Sequence, residues 1–133
     1  MFLGNLAENE KRAFLCLADK VLKADNIVAK TELSMLRAFA QEMGLSETNS
    51  NLSEDEAYTI LAVSENKTKR AVYAELLSLA FVDSTFEKKE IECLKNIQGK
   101  FGLPDDFAKK ANAWLSSYME KTKEGFDLIE DGV

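Results

Sequence analysis

Two short acidic stretches carry the residues best suited to ligand chemistry. The first reads Ala24-Asp25-Asn26-Ile27-Val28-Ala29-Lys30-Thr31-Glu32, and the second Val82-Asp83-Ser84-Thr85-Phe86-Glu87-Lys88-Lys89-Glu90. In each, a Glu follows an Asp by seven residues. If a helix begins just after Ala29 or Glu87, then Glu32 and Glu90 fall in its first turn and their carboxylates fold back toward Asp25 and Asp83. Asn26, Ser84, Thr85, Glu87 and main-chain carbonyls add neighbouring oxygens. Such an oxygen-rich pocket suits a divalent cation, calcium or magnesium, and not zinc or copper. Asp25, Glu32, Asp83 and Glu90 are therefore the candidate metal ligands. Each also has an ordinary duty: Asp forms turns by bonding the backbone two residues on, and Glu in a first helical turn complements the macrodipole. An EF-hand is excluded, because its loop needs alternating oxygen ligands, a central Gly and a Glu eleven positions after the first Asp.

The absent residue types narrow the chemistry further. The chain has no histidine, which removes Ser-His-Asp and Cys-His catalysis and every His-ligated metal scheme. Its two cysteines, Cys16 and Cys93, are far apart and form neither a thiolate zinc site nor a disulfide framework. The six glycines spell neither a P-loop nor a dinucleotide-binding turn. A non-enzymatic binding or adaptor module is the expectation. A carboxylate-based hydrolase would require a cleft with two facing carboxyl groups, one of raised pKa.

Helical periodicity supplies the elements that position these turns, and strand-like alternation is nowhere sustained. The pattern predicts helices over about 5–23, with Leu6, Phe14, Leu17, Val21 and Leu22 inward, and about 30–43, with Leu33, Leu36, Phe39, Ala40 and Met43 inward. Gly44 stops the second. Ser53 and Glu56 form a capping box that opens a third helix, ending near Ser64. A fourth, about 67–81, buries Val72, Leu76, Leu77 and Ala80. A fifth, about 88–101, buries Ile91, Leu94, Ile97 and Phe101 and stops at Gly102. A sixth follows Pro104 and packs Phe107, Ala111, Trp114, Leu115 and Tyr118 as core, and Cys16 and Cys93 also read as core. From about 121 onward the chain is acidic and reads as a short helix or a frayed tail.

The two acidic stretches belong to a longer internal match. Residues 10–45 overlay residues 68–103 without a gap at an offset of 58. The pairs Lys11/Lys69, Arg12/Arg70, Ala13/Ala71, Asp25/Asp83, Lys30/Lys88, Glu32/Glu90, Leu36/Leu94, Gly44/Gly102 and Leu45/Leu103 are identical, nine of 36 positions. Any two amphipathic hairpins share leucines and stop glycines; a matched Asp, Lys and Glu in an ungapped turn point to duplication. The expected organisation is one domain over 1–133. Repeat one spans about 5–45, a linker 46–52, repeat two about 67–118, and an acidic C-terminal tail 121–133.

At these residues the chain resembles the TerB-like family, named for a tellurite-resistance protein. The resemblance rests on a doubled pattern: apolar helix, Ala-Asp-Gly or a relative, Glu, apolar helix, Gly-Leu. Here that is Ala24-Asp25-Asn26…Glu32…Gly44-Leu45 and Val82-Asp83-Ser84…Glu90…Gly102-Leu103-Pro104, and it covers roughly 5–118. It implies an all-α fold of about seven helices with two pseudo-symmetric helix–acidic turn–helix repeats. It also implies a negative, metal-binding surface and a role as a non-enzymatic module in stress-response and membrane-linked assemblies. The sequence departs from the pattern where the usual glycine is Asn26 in one turn and Ser84 in the other, and Ser adopts a left-handed backbone less readily than Asn.

Composition sets the surroundings. With 46% hydrophobic and 30% charged residues the chain is globular. Its net charge of −6 opposes binding to a phosphate backbone, so nucleic acid is not an expected partner. No apolar run approaches the roughly 20 residues of a membrane span, and the start, MFLGNLAENEKRAF, lacks a basic signal-peptide region. The expectation is a cytoplasmic protein with a protein partner, including a membrane-associated one. The alternative to cation binding is a metal-free interaction domain that docks a basic partner on the acidic turns.

Overall fold

The computed structural model describes residues 1–24, 29–80 and 88–132, with the backbone alone for 29–31, 80, 88 and 90. Six α-helices and no strands are found among the described residues: α1 (Glu8–Ala24), α2 (Ala29–Glu42), α3 (Glu54–Ala62), α4 (Asn66–Ala80), α5 (Lys88–Phe101) and α6 (Asp105–Asp131). The all-α class is as expected; the resemblance implied about seven helices. The chain divides into two compact units, Met1–Leu103 and Pro104–Val133.

In the first unit α1 is the central element and packs against α2, α3, α4 and α5. Its sequence makes it so. Ala13, Phe14, Leu15, Leu17, Ala18, Val21 and Leu22 are all buried and together cover more than half of its circumference. A single-sided helix carries a narrower stripe, as α2 does with buried Leu36 and Ala40 four residues apart. Each fully buried leucine on α1 contributes roughly 1.5–3 kcal/mol relative to exposure. The Phe14 ring meets Phe39 of α2 edge-to-face, with centroids 5.1 Å apart. Leu33 and Ile91, expected inward, are each 40% exposed, because they sit at the edge of their helices' apolar stripes.

The helix ends follow their local chemistry. At α3 the Ser53 hydroxyl accepts from the Glu56 N–H at 3.2 Å, and the Ser53 N–H donates to the Glu56 carboxylate at 3.0 Å, a complete capping box. Gly44 and Gly102 both adopt left-handed φ, +74° and +67°. At the first stop, Gly44 N–H donates to the Gln41 carbonyl and Leu45 N–H to Ala40. At the second, Gly102 N–H donates to Gly99 and Leu103 N–H to Gln98. The two stops thus close with the same pair of bonds at an offset of 58.

An N-terminal arm leads into α1, with Leu3 and Leu6 buried. The Met1 ammonium donates to both carboxylate oxygens of Glu42 at 2.9 and 2.8 Å and lies 2.8 Å from Glu75. The Phe2 N–H donates to Glu75 at 2.7 Å. Glu75 is 7% exposed, and these bonds satisfy a carboxylate that would otherwise be costly to bury.

The second unit is α6 alone, 27 residues long. Pro104 is its N-cap, one position earlier than a first-turn proline. The helix runs unbroken to Asp131 where a frayed acidic tail was one expectation, and Gly132 closes it in left-handed φ. Trp114 and Tyr118, expected in the core, are 45% and 43% exposed and stack on each other at 5.7 Å. Periodicity marks an apolar face; it does not provide a cover for it. No described helix is long and apolar enough to cross a membrane.

Candidate functional site

Of the four residues singled out as ligands, Glu32 is the one whose side chain is described. Asp25 and Asp83 lie outside the described residues, as does the side chain of Glu90. Glu32 stands in the first turn of α2, where the spacing placed it, and is half-buried. Its carboxyl reaches across to Asp19 on α1 and hydrogen-bonds there. Lys23, one turn further along α1, donates to Asp19 Oδ2 at 2.8 Å.

Two carboxyl groups at hydrogen-bond range cannot both be ionised cheaply, so their proton affinities separate. The hydrogen bond to Asp19 pushes Glu32 above its ordinary range, and burial and the Asp19 charge add to it. At Asp19 burial pushes upward, but hydrogen bonds from Glu32 and Lys23, with the lysine's charge, outweigh it and hold the carboxyl below its ordinary range. Glu32 thus has the higher proton affinity of the pair and Asp19 the lower, with Lys23 as the counter-charge of Asp19. Lys23 is itself raised by the bond to Asp19.

Asp19 also opens onto a crevice of about 360 Å³ between α1, α2 and the 46–52 segment. Leu15, Leu36 and Leu52 are its apolar lining residues, with Leu15 and Leu36 almost wholly buried. Cys16 and Asp19 of α1 line it, as do Thr48, Asn49 and Ser50. The loop that carries the last three is held by its own side chains. The Asn51 N–H donates to Asn49 Oδ1 at 3.0 Å and the Leu52 N–H to Ser50 Oγ at 3.3 Å. Asn51 takes a left-handed φ of 59°, which Asn tolerates better than most residues. The Cys16 thiol donates to the Leu52 carbonyl at 3.7 Å. Burial pushes that thiol's pKa up, and a contact with Ser50 offsets this only in part, so Cys16 is a protonated thiol and a poor nucleophile.

Cys16 was expected in the core and instead lines this crevice, while Cys93 is buried as expected. The residues that sequence reasoning missed are Asp19, Thr48, Asn49 and Ser50. One signal for Asp19 was available: the 58-residue offset sets it against the apolar Leu77. Among the described residues, no three cysteine or carboxylate side chains converge as a metal-ligating group. Comparison with protein-family models, with curated proteins and with solved structures finds no match.

Proposed function

We propose that this chain is a non-enzymatic binding module whose acidic α1–α2 end holds a divalent cation, calcium or magnesium. The observation that carries the reading is the Asp19–Glu32 pair. Two carboxyl groups drawn together, one of raised proton affinity, form the kind of oxygen pair that a hard cation occupies in competition with protons. Asp25, seven positions before Glu32, supplies the next carboxylate in sequence. In the duplicated half, Asp83 and Glu90 form the matching candidate pair. The TerB-like resemblance adds a cytoplasmic, stress-response setting of the tellurite-resistance kind and a protein partner, including a membrane-associated one.

Calorimetry with calcium, magnesium and manganese tests the reading. Binding at a hundredfold excess over Kd stabilises the fold by about 2.7 kcal/mol, and Asp25→Asn with Glu32→Gln reduces that gain, as does Asp83→Asn with Glu90→Gln at the second turn. Absence of heat and of any melting shift with all three ions at millimolar concentration rejects it.

A second reading has its own support. Lys23 of the same helix pairs with Asp19 at 2.8 Å, so this carboxylate has a cationic partner within the chain. On that reading the acidic turns dock a basic partner, and capture of the partner survives chelator but weakens with salt.

A further inference from the structure

One face of α6 changes character along its length. Leu115, Met119, Thr122, Phe126 and Ile129 recur at steps of four and three residues and so form one stripe, with Tyr118 beside it. Leu115 is buried, yet every residue from Ser117 to Gly132 is exposed. The charges around the stripe are layered. At about 3.6 residues per turn, Lys121 falls on one flank of it and Lys123 on the other, while Glu120, Glu124, Asp127 and Asp131 fall on the back. Leu128 extends the Lys121 flank, and Glu130 shares the Lys123 flank in the last turn. Lys121 donates to Glu124 at 3.1 Å, an exposed pair that yields readily to another partner.

From stripe to back the helix thus runs apolar, cationic, anionic. A leaflet of zwitterionic phospholipid runs hydrocarbon, phosphate, then the ammonium of choline or ethanolamine, so each layer of the helix meets its complement. An anionic leaflet lacks the outer ammonium layer and repels the four carboxylates of the back. A second copy fits less well: two α6 helices crossing at Thr122, parallel or antiparallel, set lysine against lysine along their flanks. From this layering we propose that the C-terminal half of α6 docks on a zwitterionic phospholipid surface. The stripe enters the acyl boundary, Lys121 and Lys123 reach the phosphates, and the back carboxylates stand among the ammonium groups. The helix lies along the surface; it is not long and apolar enough to cross it. The docking does not depend on a cation at the α1–α2 end.

Vesicles of phosphatidylcholine with phosphatidylethanolamine are titrated into the full chain in EDTA, and bound protein is separated by flotation. Trp114, the one tryptophan of the chain, stacks on Tyr118 and reports independently: its emission shifts to the blue on binding and is quenched by lipids brominated in the acyl chain. Phe126→Ser and Ile129→Ser each lower the partition coefficient about tenfold, the effect of withdrawing one large apolar side chain. Both positions are well exposed, so the fold is kept and the melting curve is unchanged. A variant with Lys121→Glu, Lys123→Glu, Glu120→Lys and Asp127→Lys together keeps the net charge and the stripe but inverts the layers, and it binds at least about tenfold more weakly. Equal binding by that inverted variant, tighter binding to phosphatidylglycerol vesicles, or no flotation with any of these lipids at millimolar concentration overturns the proposal. So does a dimer in sedimentation velocity that Phe126→Ser dissociates, because the stripe then belongs to a second copy.

Discussion

The sequences of the α1–α2 pair and the α4–α5 pair align without a gap, yet the two pairs use carboxylates in opposite ways. At an offset of 58, Leu17 of α1 stands opposite Glu75 of α4, and Asp19 of α1 opposite Leu77. In α1 the first position is a fully buried leucine and the second an aspartate that lines a crevice. In α4 the first position is a buried glutamate and the second a leucine at 4% exposure. The glutamate is spent inside the fold, where it holds the N-terminal arm through Phe2 and Met1. The aspartate is left at the surface beside a cavity. A shared sequence pattern therefore does not imply a shared use: the first pair leaves a carboxylate beside a crevice, and the second uses its carboxylate as a structural tie.

Exchanging residues across this comparison tests it, beginning with the largest expected effect. Leu17→Glu copies the α4 residue into α1, at a position that is fully buried. A buried charge without a partner costs about 3–5 kcal/mol, so urea unfolding of this variant shows a stability loss of at least that size. A loss under about 1 kcal/mol, the scale of a surface change, shows instead that the pairs are interchangeable.

Glu75→Leu makes the reverse exchange. It removes the acceptor for the Phe2 N–H and the Met1 ammonium and costs about 1.5–3 kcal/mol, the value of a hydrogen bond to a charged group. The Met1 amine is affected by burial, which lowers its pKa, and by bonds to Glu42 and Glu75, which outweigh this and raise it. A raised amine stabilises the fold below its ordinary value of 8.0 and loses that contribution as pH rises through the folded value. Stability measured from pH 7 upward falls less steeply in Glu75→Leu than in the parent protein.

Asp19→Leu is the mildest exchange. It removes a surface ion pair and its stability change stays under about 1 kcal/mol. Its signature is in the titration of its neighbour. Glu32 is raised, so its contribution is present below its ordinary 4.5 and is lost as pH rises through the folded value. Asp19 is lowered, so its contribution is present above 3.8 and is lost as pH falls through the folded value. In Asp19→Leu, carbon-detected NMR finds Glu32 returned toward 4.5. A Glu32 titration unchanged by the substitution removes the carboxyl pair from the account.

These exchanges also mark what a sequence can disclose. Local rules were sufficient for the capping box at Ser53, the left-handed stops at Gly44 and Gly102, and the inward residues of α1, because each depends on neighbours within a turn or two. Glu32 was legible as a first-turn acid on the same ground. Its partner Asp19 was not: the two are 13 residues apart and meet only through the way α1 and α2 pack. The crevice lining at Asn49 and Ser50 was hidden for the same reason, since a polar loop has no periodicity to say which side chains turn inward. Trp114 and Tyr118 erred in the other direction, a well-formed apolar stripe without the burial it advertised.

That stripe on α6 bears on how the protein behaves in bulk. Phe126, Leu128 and Ile129 are 66%, 53% and 83% exposed, so the dissolved state depends on electrostatic repulsion between molecules. The net charge of −6 provides it near neutrality and vanishes as pH approaches 4.8. Acidification and salting-out then act in the same direction, and concentrated preparations stay clear in dilute, mildly alkaline buffer and turn cloudy as the isoelectric point is approached.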